Sequence, residues 1–149
     1  MDKRCYIYSS DMDARYRAVR VILYVISRFG MRGVERTRLM KLLFLIDRVL
    51  RNRAGIALFR WIMWKYGPFS KDVLDILDDL EVDNVVKVRR GVGYVIYIHE
   101  TPIELHDPEL ENLINEIVDR YGNVRLEELL DYVYKLPEVR DKLPGQRIW

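Results

Sequence analysis

Trp61–Leu80, WIMWKYGPFSKDVLDILDDL, is the stretch that decides how the chain is read. It opens on large side chains, with Phe59 just ahead of Trp61, Met63, Trp64 and Tyr66. Two tryptophans three residues apart bring much apolar area to a small protein. They are expected to share one core with Leu43, Ile46, Leu77 and Leu80. Within residues 56–66, Phe59, Trp61 and Met63 alternate with Arg60, Ile62 and Trp64; the period of two suggests a strand and leaves a helix open. Gly67-Pro68 then stops that element and aims the next. Ser70 is placed to cap a helix over Lys71–Glu81, with Asp72 in its positive first turn. Val73, Leu74, Leu77 and Leu80 give this helix an apolar side. Asp72, Asp75, Asp78 and Asp79 fall on one arc, which makes them candidates to bind a basic partner surface.

On the N-terminal side, residues 1–12 read as a leader in which Cys5–Tyr8 is a short edge strand. Asp13 is placed to cap a helix reaching Phe29, ended by Gly30. Ala18, Ile22, Val25, Ile26 and Phe29 form its buried stripe. Arg17, Arg20, Tyr24 and Arg28 follow one another on the opposite face. A turn at 30–36 leads to a second helix, Arg38–Arg53, capped by Thr37 and closed by Gly55. Leu39, Leu42, Leu43, Ile46, Val49 and Leu50 recur at helical period. Arg38 and Lys41 fall on its far side.

On the C-terminal side, Asn84–Glu100 reads as a β-hairpin. Val85, Val86 and Val88 lead into Arg89-Arg90-Gly91-Val92-Gly93, and Tyr94, Ile96 and Ile98 return. A helix followed by a ribbon with a basic tip is the winged-helix pattern. Asp107-Pro108 starts a helix that Gly122 stops, with Leu110, Leu113, Ile114, Ile117 and Val118 inward. Asn123 is placed to cap the next helix, which runs to Pro137. The stretch 137–149 is read as a tail, polar and basic over Lys142–Trp149 apart from Ile148-Trp149. The terminal tryptophan is read as docking on the domain or serving a homodimer contact. The expected architecture is a single domain over 1–149, α+β and mainly helical. It has a winged-helix-like core (13–100), one hairpin and a C-terminal helical pair (107–136).

Half of the residues are hydrophobic, which argues against disorder. No apolar run is long enough for a bilayer, and no signal-type core follows Met1. Cys5 is the one cysteine, which suits a reducing cytoplasm. A single glutamine amid 32% charged residues hints at a thermophile. The net charge of +2 hides an asymmetry: residues 1–60 carry +9 and the rest −7. Either the molecule has one basic and one acidic face, or the halves neutralise each other across a contact.

Leu39–Asp47 (LMKLLFLID), Phe59–Trp61 (FRW) and Trp64–Ser70 (WKYGPFS), followed by Leu74, Leu77 and Leu80, resemble the SocA/Panacea-type antitoxin domain and its YwgA-like relatives. That family has a similar leucine-rich helix, an aromatic run ending in YGPxS and a short leucine helix. The resemblance covers Leu39–Val88. The chain departs from it in its arginine content and its C-terminal helices. The resemblance implies a regulator that neutralises a partner protein, a toxin in the family's best-known setting.

No paired Cys/His, G-x-S-x-G, phosphate loop or metal-ligand spacing is present, so an enzyme, a cofactor and a metal are not expected. The alternative function is a DNA- or RNA-binding regulator using Arg17, Arg20, Tyr24, Arg28, Arg38, Lys41, Arg89 and Arg90. The helix ahead of the ribbon would ordinarily enter the major groove. Here it carries five acids against one lysine, so the basic helices and the wing would have to dock in another pose.

Overall fold

The computed structural model describes residues 3–99 and 103–149, with side chains for 14–99 and 103–149. Its centre is helix α2, Arg36–Ala54. From Arg38 to Asp47 every residue of α2 is buried, as expected of a helix with neighbours on all sides. Helix α1 (Lys3–Ser27), strand β1 (Val34–Glu35), helix α4 (Pro108–Tyr121) and helix α5 (Leu126–Tyr134) all pack against it. This explains Phe44 and Leu45, which lie off the main leucine stripe and are nevertheless enclosed.

The polypeptide is α+β and mainly helical. Helix α3 (Lys71–Val82) precedes a hairpin of β4 (Lys87–Arg90) and β5 (Tyr94–Tyr97). β5 is the centre of a three-stranded antiparallel sheet, pairing with β4 on one side and β1 on the other. Of residues 56–66, only Ile62–Trp64 forms strand, β2, after a loop over 56–61; it pairs with β3 (Gly67–Phe69) across a turn made by Lys65 and Tyr66. Gly67 has φ +98, a conformation costly for a residue with a Cβ.

The caps at Ser70 and Asp107 form as expected. The Ser70 hydroxyl accepts from the Val73 amide at 3.3 Å, and the Asp107 carboxylate from the Leu110 amide at 3.2 Å. Gly55 closes α2 in the left-handed region.

Other expectations are corrected. Cys5–Tyr8 is helix rather than edge strand, because nothing before Gly30 breaks the helical run of α1. Asp13 is therefore interior to α1, which ends at Ser27. Gly30 instead opens a 3-10 turn, Gly30–Arg32. α2 begins at Arg36, ahead of Thr37, with no side-chain cap. α5 begins at Leu126, and Asn123 accepts from Arg32 Nη2 at 2.6 Å instead of capping. A one-turn helix α6 (Pro137–Arg140) occupies the start of the stretch read as tail. Met1 and Asp2 of the leader lie outside the described residues.

The tail itself folds back. Met63 N donates to Gln146 O, Gly145 N to Met63 O and Ile148 N to Trp61 O, so the segment runs antiparallel beside β2 and bridges it at Ile62–Arg147. Trp149 then stacks on Phe44, with centroids 4.9 Å apart. Of its two expected roles, the terminal tryptophan takes the intramolecular one.

Trp61, Leu43, Ile46, Leu77 and Leu80 are buried together in one hydrophobic cluster. Trp64 is not among them: it is 45% exposed. On strand β2, alternate side chains face opposite ways, so Met63 turns inward and Trp64 outward.

Candidate functional site

Two buried charges of α2 hold the aromatic stretch in place. Asp47 is fully enclosed and accepts three N–H donors: Leu58 N at 2.8 Å, Phe59 N at 3.0 Å and Trp61 Nε1 at 2.8 Å. It thereby fixes the loop that delivers Trp61 to the core. Burial pushes its carboxyl up to about 6, against the pull of the three donors. Lys41 is 3% exposed and donates to Pro68 O at 2.9 Å, tying α2 to β3. Burial brings its ammonium down to about 8. From the other side the Tyr134 hydroxyl donates to Lys65 O at 2.7 Å.

The braced β2–β3 turn presents Trp64, and also Tyr66, which is 67% exposed. Beside them opens a pocket of about 260 Å³ whose lining includes Arg36, Thr37, Met40, Lys41, Trp64, Tyr66 and Phe69. Arg36 lies 4.1 Å from the centroid of the Tyr94 ring, which extends the aromatic surface onto β5. Among the described residues, no ion pair involves Arg36 or Lys41.

The residues singled out for polyanion binding scatter. Arg38 is buried; it pairs with Glu35 at 3.2 Å and donates to the carbonyls of Tyr121 and Val124. Arg38 and Lys41 thus lie inside rather than on an outer face, because α2 is surrounded. Arg20 donates to Glu104 O, Tyr24 to Asn115 Oδ1 at 2.9 Å, and Arg28 pairs with Asp119 at 3.1 Å. Arg17 is exposed on the rim of a groove that also contains Leu50, Ile56 and Leu110. Arg89 donates to the carbonyls of Met31 and Arg32, and Arg90 pairs with Glu81 at 2.8 Å. Both arginines belong to β4, and the hairpin tip is the exposed Val92 between two glycines, so the expected basic tip is apolar.

The acidic arc is also engaged. Asp72 binds Arg60 at 2.7 Å, Asp75 binds Lys71 at 3.1 Å and Asp79 binds Arg15 at 3.3 Å. The hydrogen bond from Arg60 holds Asp72 below the usual carboxylate range. Asp78 is exposed.

Sequence reasoning found the aromatic stretch but not its division into an inward Trp61 and an outward Trp64. It also missed Asp47, and it put Lys41 on an outer, nucleic-acid-binding face where the structure buries it. A signal existed for both: an Asp and a Lys inside a leucine-rich helix are expensive to bury without partners.

A family model described as "Antitoxin SocA-like, Panacea domain" matches residues 39–138. The match runs from the first turns of α2 into α6. Helices α4 and α5, expected to depart from the family, therefore lie inside it. Comparison with curated proteins and with solved structures found no match. Among the described residues no helix is long and apolar enough to cross a membrane.

Proposed function

Because the chain belongs to the Antitoxin SocA-like, Panacea domain family, we propose that it is a non-enzymatic regulator that binds and neutralises a partner protein. The observation that carries the reading is the outward display of Trp64 and Tyr66 on a turn that Lys41 and Tyr134 brace from both sides. Trp, Tyr and Arg are the side chains that most often dominate binding energy at protein interfaces. Here Arg36, Trp64 and Tyr66 border one pocket, and Tyr94 extends it. A rigid backbone under exposed aromatics lowers the ordering cost of association.

The same reading takes α1, β1, α2, α3 and the β4–β5 hairpin as a winged-helix-like frame, with β2–β3 inserted between its second and third helices. The strand order β1-β5-β4 supports it. The acidic arc Asp72, Asp75, Asp78 and Asp79 is a secondary contact in this proposal, because three of its carboxylates already have cationic partners.

The test is co-expression with the protein encoded by the adjacent gene. The wild type should relieve that protein's toxicity and copurify with it. Trp64→Ala with Tyr66→Ala should abolish both while the fold persists. An adjacent protein that is harmless, or that is neutralised equally by the double variant, overturns the reading.

A further inference from the structure

We propose that the pocket between the start of α2 and the β2–β3 turn receives a carboxylate side chain of the partner polypeptide, held by Arg36 and Lys41 within walls of Trp64, Tyr66 and Phe69. This rests on the protein-binding reading above and names the chemistry of the partner. The first argument is an unbalanced charge. A buried ion is ordinarily retained with a counter-ion. Lys41 is 3% exposed, yet among the described residues its hydrogen-bond partner is the neutral carbonyl of Pro68 at 2.9 Å. An ammonium carries three donors, so the pocket side has donors to offer. Arg36 is half-buried at the same pocket and has no carboxylate partner among the described residues. Among the described residues no acidic side chain lines the pocket.

The second argument is shape. A volume of about 260 Å³ suits one side chain, not a tracked backbone. The aromatic walls supply the water-excluding rim that makes a charge-assisted hydrogen bond effective. A nucleic-acid strand needs a row of available cations. Of the arginine candidates for such a row, Arg17 alone stands exposed without a recognised partner among the described residues; Arg38 lies inside the protein, Arg28 and Arg90 are held by carboxylates, and Arg20 and Arg89 by backbone carbonyls.

The test uses the full chain and a random peptide library displayed on phage. Enriched peptides are synthesised and their affinities measured by calorimetry against wild type, Arg36→Gln and Lys41→Met. A single-stranded oligodeoxynucleotide is measured alongside. The expected result is enrichment of Asp or Glu beside apolar residues. Amidating that acid, or Arg36→Gln, should then weaken binding about tenfold or more. Circular dichroism checks each variant, and Arg36→Gln decides alone where Lys41→Met does not fold. Peptides without an essential acid, or equal affinity for Arg36→Gln, overturn the proposal. So does an oligonucleotide that binds more tightly than the peptides and is lost with the same substitutions. Acidic peptides that depend on Arg36, together with failure to neutralise the adjacent gene product, would leave this site standing and remove the antitoxin reading instead.

Discussion

Asp47 links a buried charge to the placement of an aromatic loop. Its three donors come from Leu58, Phe59 and Trp61, all in the loop beyond the end of α2. An asparagine has one acceptor oxygen, and its amide would confront N–H groups with N–H groups. Asp47→Asn should therefore destabilise by about 2 kcal/mol or more, although it removes a charge from the interior. Urea melts measure this. The pH dependence has the opposite sense to ordinary acid unfolding. The folded carboxyl titrates near 6, above the unfolded value of 3.8. The folded state thus holds the proton more tightly, and this group's contribution to stability falls as pH rises from about 4 to about 6. Subtracting the Asp47→Asn profile from the wild type isolates it, since Asp72, held low by Arg60, contributes in the other direction. Trp64 gives a contrasting case. An enclosed tryptophan cut to alanine costs about 3 to 5 kcal/mol. At 45% exposure Trp64→Ala should cost about 1 kcal/mol or less, and a larger loss in denaturant melts would return Trp64 to the core.

At the scale of elements, what was legible in the sequence is what is local. The β4–β5 hairpin, the Ser70 and Asp107 caps and the stripes of α1 and α4 rest on neighbours within a few residues, and each forms where the pattern places it. The sheet around β2 was not legible. The tail runs along its free edge, and Ile62 bridges to Arg147 from the far end of the chain. Period two at 59–64 suggested a strand but carried nothing to say which side chains faced in. The facing of Trp64 depends on which side of β2 turns to the core, and part of what packs along β2 comes from the far end of the chain. The tail is thus expected to be part of the folded unit despite its polar composition. Removing residues 143–149 takes away buried Ile148, the stacking of Trp149 on Phe44 and the three backbone hydrogen bonds to Trp61 and Met63. The truncated chain should lose about 3 kcal/mol or more, and the Met63 amide, which donates to Gln146 O, should exchange faster with deuterium. An unchanged melt with unchanged exchange at Met63 would mean that the tail is a dispensable ornament on β2.

The whole molecule answers the question raised by its charge asymmetry. Residues 1–60 carry +9 and the remainder −7, and the two halves meet in ion pairs rather than standing apart. Arg15 pairs with Asp79, Arg28 with Asp119, Arg48 with Glu138 and Arg60 with Asp72. This could not be read from composition, because composition does not say which surfaces touch. The two arrangements respond oppositely to salt. If like charges were gathered on separate faces, screening would relieve their repulsion and raise stability. Where opposite charges meet across the fold, screening weakens attraction. Exposed pairs are worth little, and three of the four have at least one side chain more than half exposed. Arg48–Glu138 is the exception: both side chains are about a quarter exposed, and the pair joins α2 to α6 at 2.8 Å. Raising sodium chloride from about 0.05 to about 0.5 M, which shortens the screening length below the reach of exposed pairs, should lower the melting temperature slightly. Glu138→Gln should cost about 1 kcal/mol and flatten that salt response, whereas Asp119→Asn at the exposed Arg28 pair should change both very little. A melting temperature that rises with salt, and rises equally in Glu138→Gln, would place the charges on opposed faces and leave these pairs without energetic weight.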